Sequence, residues 1–320
     1  LRHDTFGRFK RKIQLNATFK MNTNSETEHR VLGIDIGGSH ITAGLVNITE
    51  KKIIATSVVR SKVNRHAPAS EILGIWAEVI NTMYDQRNGS FSEVGFAMPG
   101  PFDYENGICL IKEVDKYEAL YGMNIRREIA ARTNIEKENI IFRNDADAFL
   151  EGEVFCGAAQ GFHRAMGITL GTGLGSCFYD NGAISNASLY DMNFKEGVAE
   201  DYISTRWFEK TYLNYTGKQI NGVKPVADAY GEEEAARLIF NEFAENLSLL
   251  LSHCIDVYRP DIFVIGGNIA NAFNIFIGHV YQLLSEQGRT PLIRTAHLGE
   301  EAALIGAASN FEKRFALQEK

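Results

Sequence analysis

The sequence predicts an α/β fold made of two similar halves with a cleft between them. Three observations carry this. The stretch VLGIDIGGSHITAGLV, Val31 to Val46, reads as an apolar strand, a glycine-rich turn and a second apolar strand. The device returns in AMGITLGTGLGSCFYDNGAI, from Ala165. Helical and strand patterns alternate between and after the two copies, as in folds that pack helices on sheets.

Three strand-like runs follow in close order from Val31: VLGIDI, ITAGLVN and KIIATSVVR. Their tight connections predict antiparallel neighbours. SEILGIWAEVINTMYDQR then sets Ile72, Trp76, Val79, Ile80 and Met83 at helical spacing. VGFAMPG is a buried strand ending in a Pro-Gly turn, IRREIAARTN a helix, NIIFRND a strand and ADAFLEGEVFCGAA a helix. After the second glycine device comes a long helix with Ala236, Phe240, Phe243, Leu247, Leu250 and Cys254 on one face. DIFVIGGNIA is a strand entering a Gly-Gly turn, and LGEEAALIGAASNF a helix of small residues. No low-complexity linker intervenes. The expected division is a polar tail over 1–30, a first α/β domain over 31–120 and a second over 121–299, with a helix over 300–318 packing back on the first.

Composition narrows the function classes. A chain of 320 residues with 45% hydrophobic and 23% charged residues can bury a sizeable core. Its net charge of −7 argues against nucleic acid as a partner. No apolar run reaches the length of a membrane span. The four cysteines, Cys109, Cys156, Cys177 and Cys254, form no CxxC pair, which speaks against a close-spaced zinc site and suits a reducing cytoplasm. The opening LRHDTFGRFKRKIQLNATFK is basic and lacks the apolar core of a secretory signal. Met21 reads as the natural start, with the preceding residues as read-through; a basic targeting tail is the rival.

Five short motifs could carry chemistry. In Asp35-Ile36-Gly37-Gly38-Ser39 the glycines let backbone amides approach a phosphate, Ser39 adds a donor, and Asp35 could hold hydrated Mg²⁺. A tight hairpin with an exposed aspartate is the plain alternative. Gly171-Thr172-Gly173-Leu174-Gly175 is a second candidate phosphate loop. It is no Walker loop, because no Gly-Lys-Ser/Thr follows, and no dinucleotide fingerprint, because a strand follows; a flexible hairpin is the alternative. Gly266-Gly267-Asn268 is loop punctuation or a wall for a flat nucleoside. Asn144-Asp145-Ala146 opens a helix from a strand end, where α/β folds place clefts. Asp145 is there a proton acceptor or a helix N-cap. Pro99-Gly100-Pro101-Phe102-Asp103 is a rigid turn.

The order of these motifs is more specific than any one of them. Asp-Ile-Gly-Gly, Met-Pro-Gly-Pro-Phe-Asp, Asn-Asp-Ala-Asp-Ala, Leu-Gly-Thr-Gly-Leu-Gly and Ile-Gly-Gly-Asn-Ile together resemble the ROK family of sugar kinases, close to bacterial glucokinases, from about Val31 to Asn310. The resemblance implies the duplicated two-domain fold of the actin-like (ribonuclease H-like) ATPases. It also implies that Asp35 orients Mg²⁺ through water and that Gly37, Gly38 and Ser39 face the phosphate from one side. Gly171, Thr172 and Gly173 would face it from the other, and Gly266 and Gly267 would line the adenosine site. Gly100, Asn144 and Asp145 would bind the sugar, with Asp145 as general base.

The chain departs from the family in one segment. Members carry Glu-x-Gly-His and a zinc-binding cysteine cluster. Here the corresponding SNASLYDMNFKEGVAEDYIS has neither. The likeness resumes at GVAEDYIS, which makes Glu200 the sugar-touching glutamate, with Glu196 a substitute contact; no zinc is expected. His40 stands where the family often has Lys or Asn. The resemblance thus implies Mg-ATP-dependent phosphorylation of a hexose primary hydroxyl. An N-acetylmannosamine or N-acetylglucosamine kinase is the alternative within the class. A non-catalytic sugar-responsive regulator is the alternative outside it, disfavoured because the segment before Val31 is short for a winged helix and Asp145 is kept. A sugar-binding protein without activity is a further alternative, raised by the missing Gly-His. The expected partners are a sugar and ATP, with no nucleic acid or membrane; a homodimer and a cytoplasmic location agree with the family's habit.

Overall fold

The computed structural model describes residues 28–87 and 89–318, with side chains to residue 312. The basic opening and Met21 lie outside the described residues.

Strand β1 (Arg30–Ile36) turns through Gly37–Ser39 into β2 (His40–Asn47), and the two pair antiparallel with Asp35 opposite Thr42. The run KIIATSVVR is not one strand. It breaks into β3 (Lys52–Ile53), a 3₁₀ turn over Ala55–Ser57 and β4 (Val59–Lys62). The cause is Ser57. Its buried hydroxyl accepts from the Leu45 amide at 2.8 Å and donates to the Ile54 carbonyl at 2.6 Å. A side chain thus replaces one rung of the ladder.

Helix α1 (Ala69–Gln86) buries Ile72, Trp76, Val79, Ile80 and Met83, the face its spacing predicts. Then come β5 (Val94–Met98), the small pair β6 (Phe102–Asp103) and β7 (Ile108–Cys109), α2 (Ile125–Ala130) and β8 (Ile140–Asn144). The first sheet runs β3-β2-β1-β5-β8, with β4 also beside β2; β1, β5 and β8 are parallel. Strand β8 follows residue 120 and yet belongs to this sheet, so sheet membership changes at Asn144 and not near 120.

Helix α3 (Asp145–Cys156) leads to β9 (Arg164–Leu170), β10 (Leu174–Asp180) and β11 (Ala183–Asn186). In place of a long loop there follow a two-residue-turn hairpin, β12 (Asn193–Phe194) and β13 (Gly197–Val198), and α4 (Ala199–Tyr202). Next are α5 (Thr205–Thr216), α6 (Lys224–Ala229), α7 (Glu234–Tyr258), β14 (Ile262–Gly266), α8 (Phe273–Glu286), β15 (Ile293–Thr295) and α9 (Ala302–Gln318). The second sheet runs β11-β10-β9-β14-β15. It repeats the first: an antiparallel pair around a glycine turn, then parallel strands on the other side of the leading strand.

Helix α9 lies against β1, β5 and α3. The approach is close. A Cβ at Gly33 or Gly95 would strike the α9 carbonyls of Leu304 and Ala307, and one at Gly306 would strike the α3 carbonyl of Ala148. Small residues here let backbone meet backbone. At the far end of α3, Glu153 is fully buried. Its carboxylate accepts from the amides of Ala158 at 2.6 Å, His297 at 3.1 Å and Leu298 at 2.8 Å. The end of α3 is thereby bound to the entry of α9. Separate apolar cores fill the two halves, one around Trp76, Phe96 and Tyr117, the other around Phe208, Phe240 and Phe243. No helix among the described residues is long and apolar enough to cross a membrane.

Candidate active site

The two glycine turns open into one cleft of about 590 Å³. The first sheet supplies Asp35 and Gly37. The second supplies Thr169, Gly171, Thr172 and Gly173. Asp145 stands at the start of α3 between them, and Gly100, Glu200 and Gly267 complete the set of sequence-identified residues on the wall. Residues far apart in the chain meet because the leading strand of each sheet runs into a glycine turn that opens on this cleft.

The turns are closed by their own backbones. The Gly37 amide donates to the His40 carbonyl at 2.9 Å, and the Gly171 amide to the Gly173 carbonyl at 3.0 Å. Gly38 and Ser39 are exposed at the tip of the first turn, where the Ser39 hydroxyl pairs with His40 Nδ1 at 2.8 Å.

Asn144, not Asp145, is the cap of α3. Its Oδ1 accepts from the Ala146 amide at 3.1 Å. Its Nδ2 donates to the Tyr104 hydroxyl at 3.0 Å, which in turn donates to the Met98 carbonyl at 3.1 Å. This frees one edge of Asp145 for the cleft, although its Oδ1 also accepts from the Ala146 amide at 2.9 Å. Surrounding protein raises the Asp145 pKa, opposed first by the positive charge of Lys116. The side chain still meets cleft solvent, which moderates that push. Asp35 is raised to about 6, mainly by burial and then by the negative charge of Asp145. Its carboxylate makes no hydrogen bond or ion pair among the described residues. Asp147, two residues further along α3, is also raised to about 6 by burial.

Glu200 reaches the second turn directly. It accepts from the Leu174 amide at 2.9 Å and pairs with Arg206. Gly173 is required for this, since a Cβ there would strike the Glu200 carboxylate. Glu196 is elsewhere: it is exposed in the turn between β12 and β13, outside the cleft wall. The two glycines after β14 also part company. Gly267, at φ +85°, presses on the Leu170 carbonyl beneath the second turn. Gly266 faces the Phe149 ring, 2.7 Å from where a Cβ would sit, and lines neither hollow.

A second hollow of about 690 Å³ continues from Thr172. Its walls include Arg206, Glu209, Asn221, Lys224, Asn268 and Asn271. Most of these come from α5, α6 and the loop between them, which carry no motif in the sequence. Lys116, Tyr104 and Tyr117 are likewise site residues that the sequence does not announce. Lys116 lies in the charged run KEVDKYE, which reads as a solvated loop. Tyr117 donates its hydroxyl to the Gly37 carbonyl at 2.6 Å, and burial pushes its pKa up to about 12. Among the described residues no three His, Cys, Asp or Glu side chains converge as a metal cage.

Known proteins match this arrangement along most of the chain. A glucokinase of Thermotoga maritima is 26% identical over 320 residues, 89% of this chain and 98% of the relative. An N-acetyl-D-glucosamine kinase of Aliivibrio fischeri is 25% identical, covering 86% and 97%. The solved structure of a ROK family glucokinase from Streptomyces griseus, in complex with glucose and AMPPNP, superposes with a TM-score of 0.70 at 20% identity, over 89% of this chain and 99% of that one. The ROK family pattern itself matches residues 31–188 and 195–314. The chain therefore belongs to the ROK family.

Proposed function

We propose that the protein is an ATP-dependent sugar kinase that phosphorylates a hexose primary hydroxyl. The observation that carries this reading is the convergence of Asp145 with both glycine turns in a single cleft. Phosphoryl transfer asks for positioning, charge neutralisation and a group to accept the hydroxyl proton. Asp145 takes that proton. A raised pKa suits the role, because a base nearer the working pH holds a proton more readily once transfer begins. Gly100 and Asn144 border the sugar on one side, Asn144 fixed by Tyr104. Glu200 borders it on the other.

The nucleotide phosphates lie between the two turns, and the nucleoside extends past Thr172 into the second hollow. Gly267 contributes by supporting the turn, while Gly266, packed against Phe149, is not on the wall of either hollow. Asp35 suits a hydrated Mg²⁺, because it faces the cleft without a protein hydrogen bond, and this ion takes few carboxylates and keeps its waters. When bound, the ion supplies charge neutralisation at the phosphates.

An N-acetylated hexosamine is the second reading for the sugar, favoured by the N-acetyl-D-glucosamine kinase relative at nearly the same identity as the glucokinase. A coupled ADP-release assay with Mg-ATP over hexoses and N-acetylhexosamines tests both. Turnover of one class selects it. Sugar binding without any ADP release would overturn the kinase reading in favour of a sensor.

A further inference from the structure

Of the side chains that line the cleft, three are carboxylates: Asp35, Asp145 and Glu200. Lys116 is the only Lys, Arg or His among the described residues on that wall. Such a cleft repels a polyanionic nucleotide unless positive charge is placed in it. Lys116 is half-buried and forms no hydrogen bond or ion pair among the described residues. Its neighbours are firmly held. Asp115 pairs with Arg65 at 3.1 Å, and its amide donates to Glu118 at 3.2 Å. Tyr117 is fully buried, packs edge-on against Trp76 at 5.6 Å, and bonds through its amide to the Arg65 carbonyl at 3.0 Å and through its hydroxyl to Gly37.

The loop is also strained. Glu113, Asp115 and Tyr117 have φ of 60°, 55° and 54°, in the left-handed region that side chains other than glycine rarely occupy. Backbone of this kind costs free energy and persists where surrounding contacts enforce it. Here it holds an unpaired ammonium group at the phosphate turn, on the residue between two anchors.

We propose that Lys116 is a catalytic residue whose ammonium group binds the phosphoryl group in transit from nucleotide to sugar. The proposal rests on the kinase reading above. In the step, the bond from the γ-phosphorus to the β–γ bridging oxygen breaks and ADP leaves with the electron pair. The sugar oxygen forms the new bond to phosphorus, and Asp145 receives the hydroxyl proton. Lys116 forms no covalent bond and neither gives nor takes a proton in this balance.

Lys116→Met and Lys116→Arg test this, each checked by thermal melting. With the sugar that the wild type turns over, Lys116→Met should lower kcat by roughly 10²–10³-fold while sugar affinity stays within about threefold. Lys116→Arg should recover at least about tenfold of the loss. Orthophosphate titrated calorimetrically without nucleotide should bind Lys116→Met about tenfold more weakly than wild type. A wild type that turns over no sugar, yet shows that orthophosphate difference, would sink the kinase reading and keep the anion role of Lys116. A Met variant matching wild type in both readouts overturns the proposal. So does a rise in sugar KM with kcat unchanged, which would make Lys116 a sugar contact. A shifted acid limb with an unchanged plateau overturns it too, since Lys116 would then act only through the charge of Asp145.

Discussion

The Glu200 carboxylate accepts the Leu174 amide hydrogen bond at 2.9 Å, and so fastens α4 to the glycine turn of the second sheet. Glu200 thus shapes the second glycine turn while lining the cleft. Glu200→Ala should raise the sugar KM by about tenfold or more and weaken ATP use as well, whereas Glu196→Ala should leave both within about twofold, because Glu196 lies outside the cleft. Gly173→Ala should lower kcat by collision with Glu200, and Glu200→Ala should add little in that background. Steady-state kinetics of the four variants check this; equal effects of the two glutamates would refute it.

Asp145→Asn keeps the shape of the side chain and removes its basicity. The expected loss in kcat is roughly 10²–10⁴-fold with sugar affinity within about tenfold. The base must be ionised to act. Its raised pKa therefore moves the acid limb of kcat/KM above the range of an ordinary aspartate, and activity falls as pH drops through it. A pH–rate profile with its acid limb near 4 would remove the desolvated base from the mechanism.

Asp35 makes a prediction for stability. Its folded pKa of about 6 exceeds the ordinary aspartate value of 3.8. The ionised form is thus disfavoured by folding. The stabilisation linked to this group is complete below the unfolded pKa and disappears as pH rises through about 6. Asp35→Asn should raise Tm in metal-free buffer at pH 8 by roughly 1–4 °C and hardly change it at pH 4, while lowering Mg-ATP-dependent turnover. Calorimetry at the two pH values checks the sign, and a variant less stable at pH 8 would contradict it.

Glu153 holds three backbone amides from two segments. Glu153→Ala would leave them unpaired in the interior, at about 1–3 kcal/mol each before relaxation. The expected loss is about 3 kcal/mol or more in denaturant unfolding, with Glu153→Gln milder because its Oε1 still accepts. A loss below about 1 kcal/mol would show that the segments re-pair.

Much of this architecture is legible in the chain. The two glycine turns stand out because an apolar strand running into Gly-rich turns and out again has few other uses, and the apolar face of α7 follows from spacing alone. Asp145 is legible by its place at a strand end. Other features depend on contacts that no local pattern encodes. Ser57 splits a strand only because Leu45 lies beside it. The change of sheet at Asn144 depends on β8 finding β5. Gly266 and Gly267 look alike in sequence, yet one meets a phenyl ring and the other a carbonyl. Glu196 and Glu200 are four residues apart in a short motif, and a hairpin turn sends one outward. Lys116 is hidden because a charged loop looks solvated until its anchors are seen.

The position of α9 also bears on how the chain is made. One face of the first sheet is covered by residues 302–311, against strands that emerge from the ribosome well before them. Gly33 and Gly95 must wait for Leu304 and Ala307 through the synthesis of the whole second half. During elongation the leading sheet therefore presents an uncovered apolar face, a surface for chaperones or for misassociation. Folding of this protein is in that sense completed from the back, and the strands of the first sheet are among the last to be sealed.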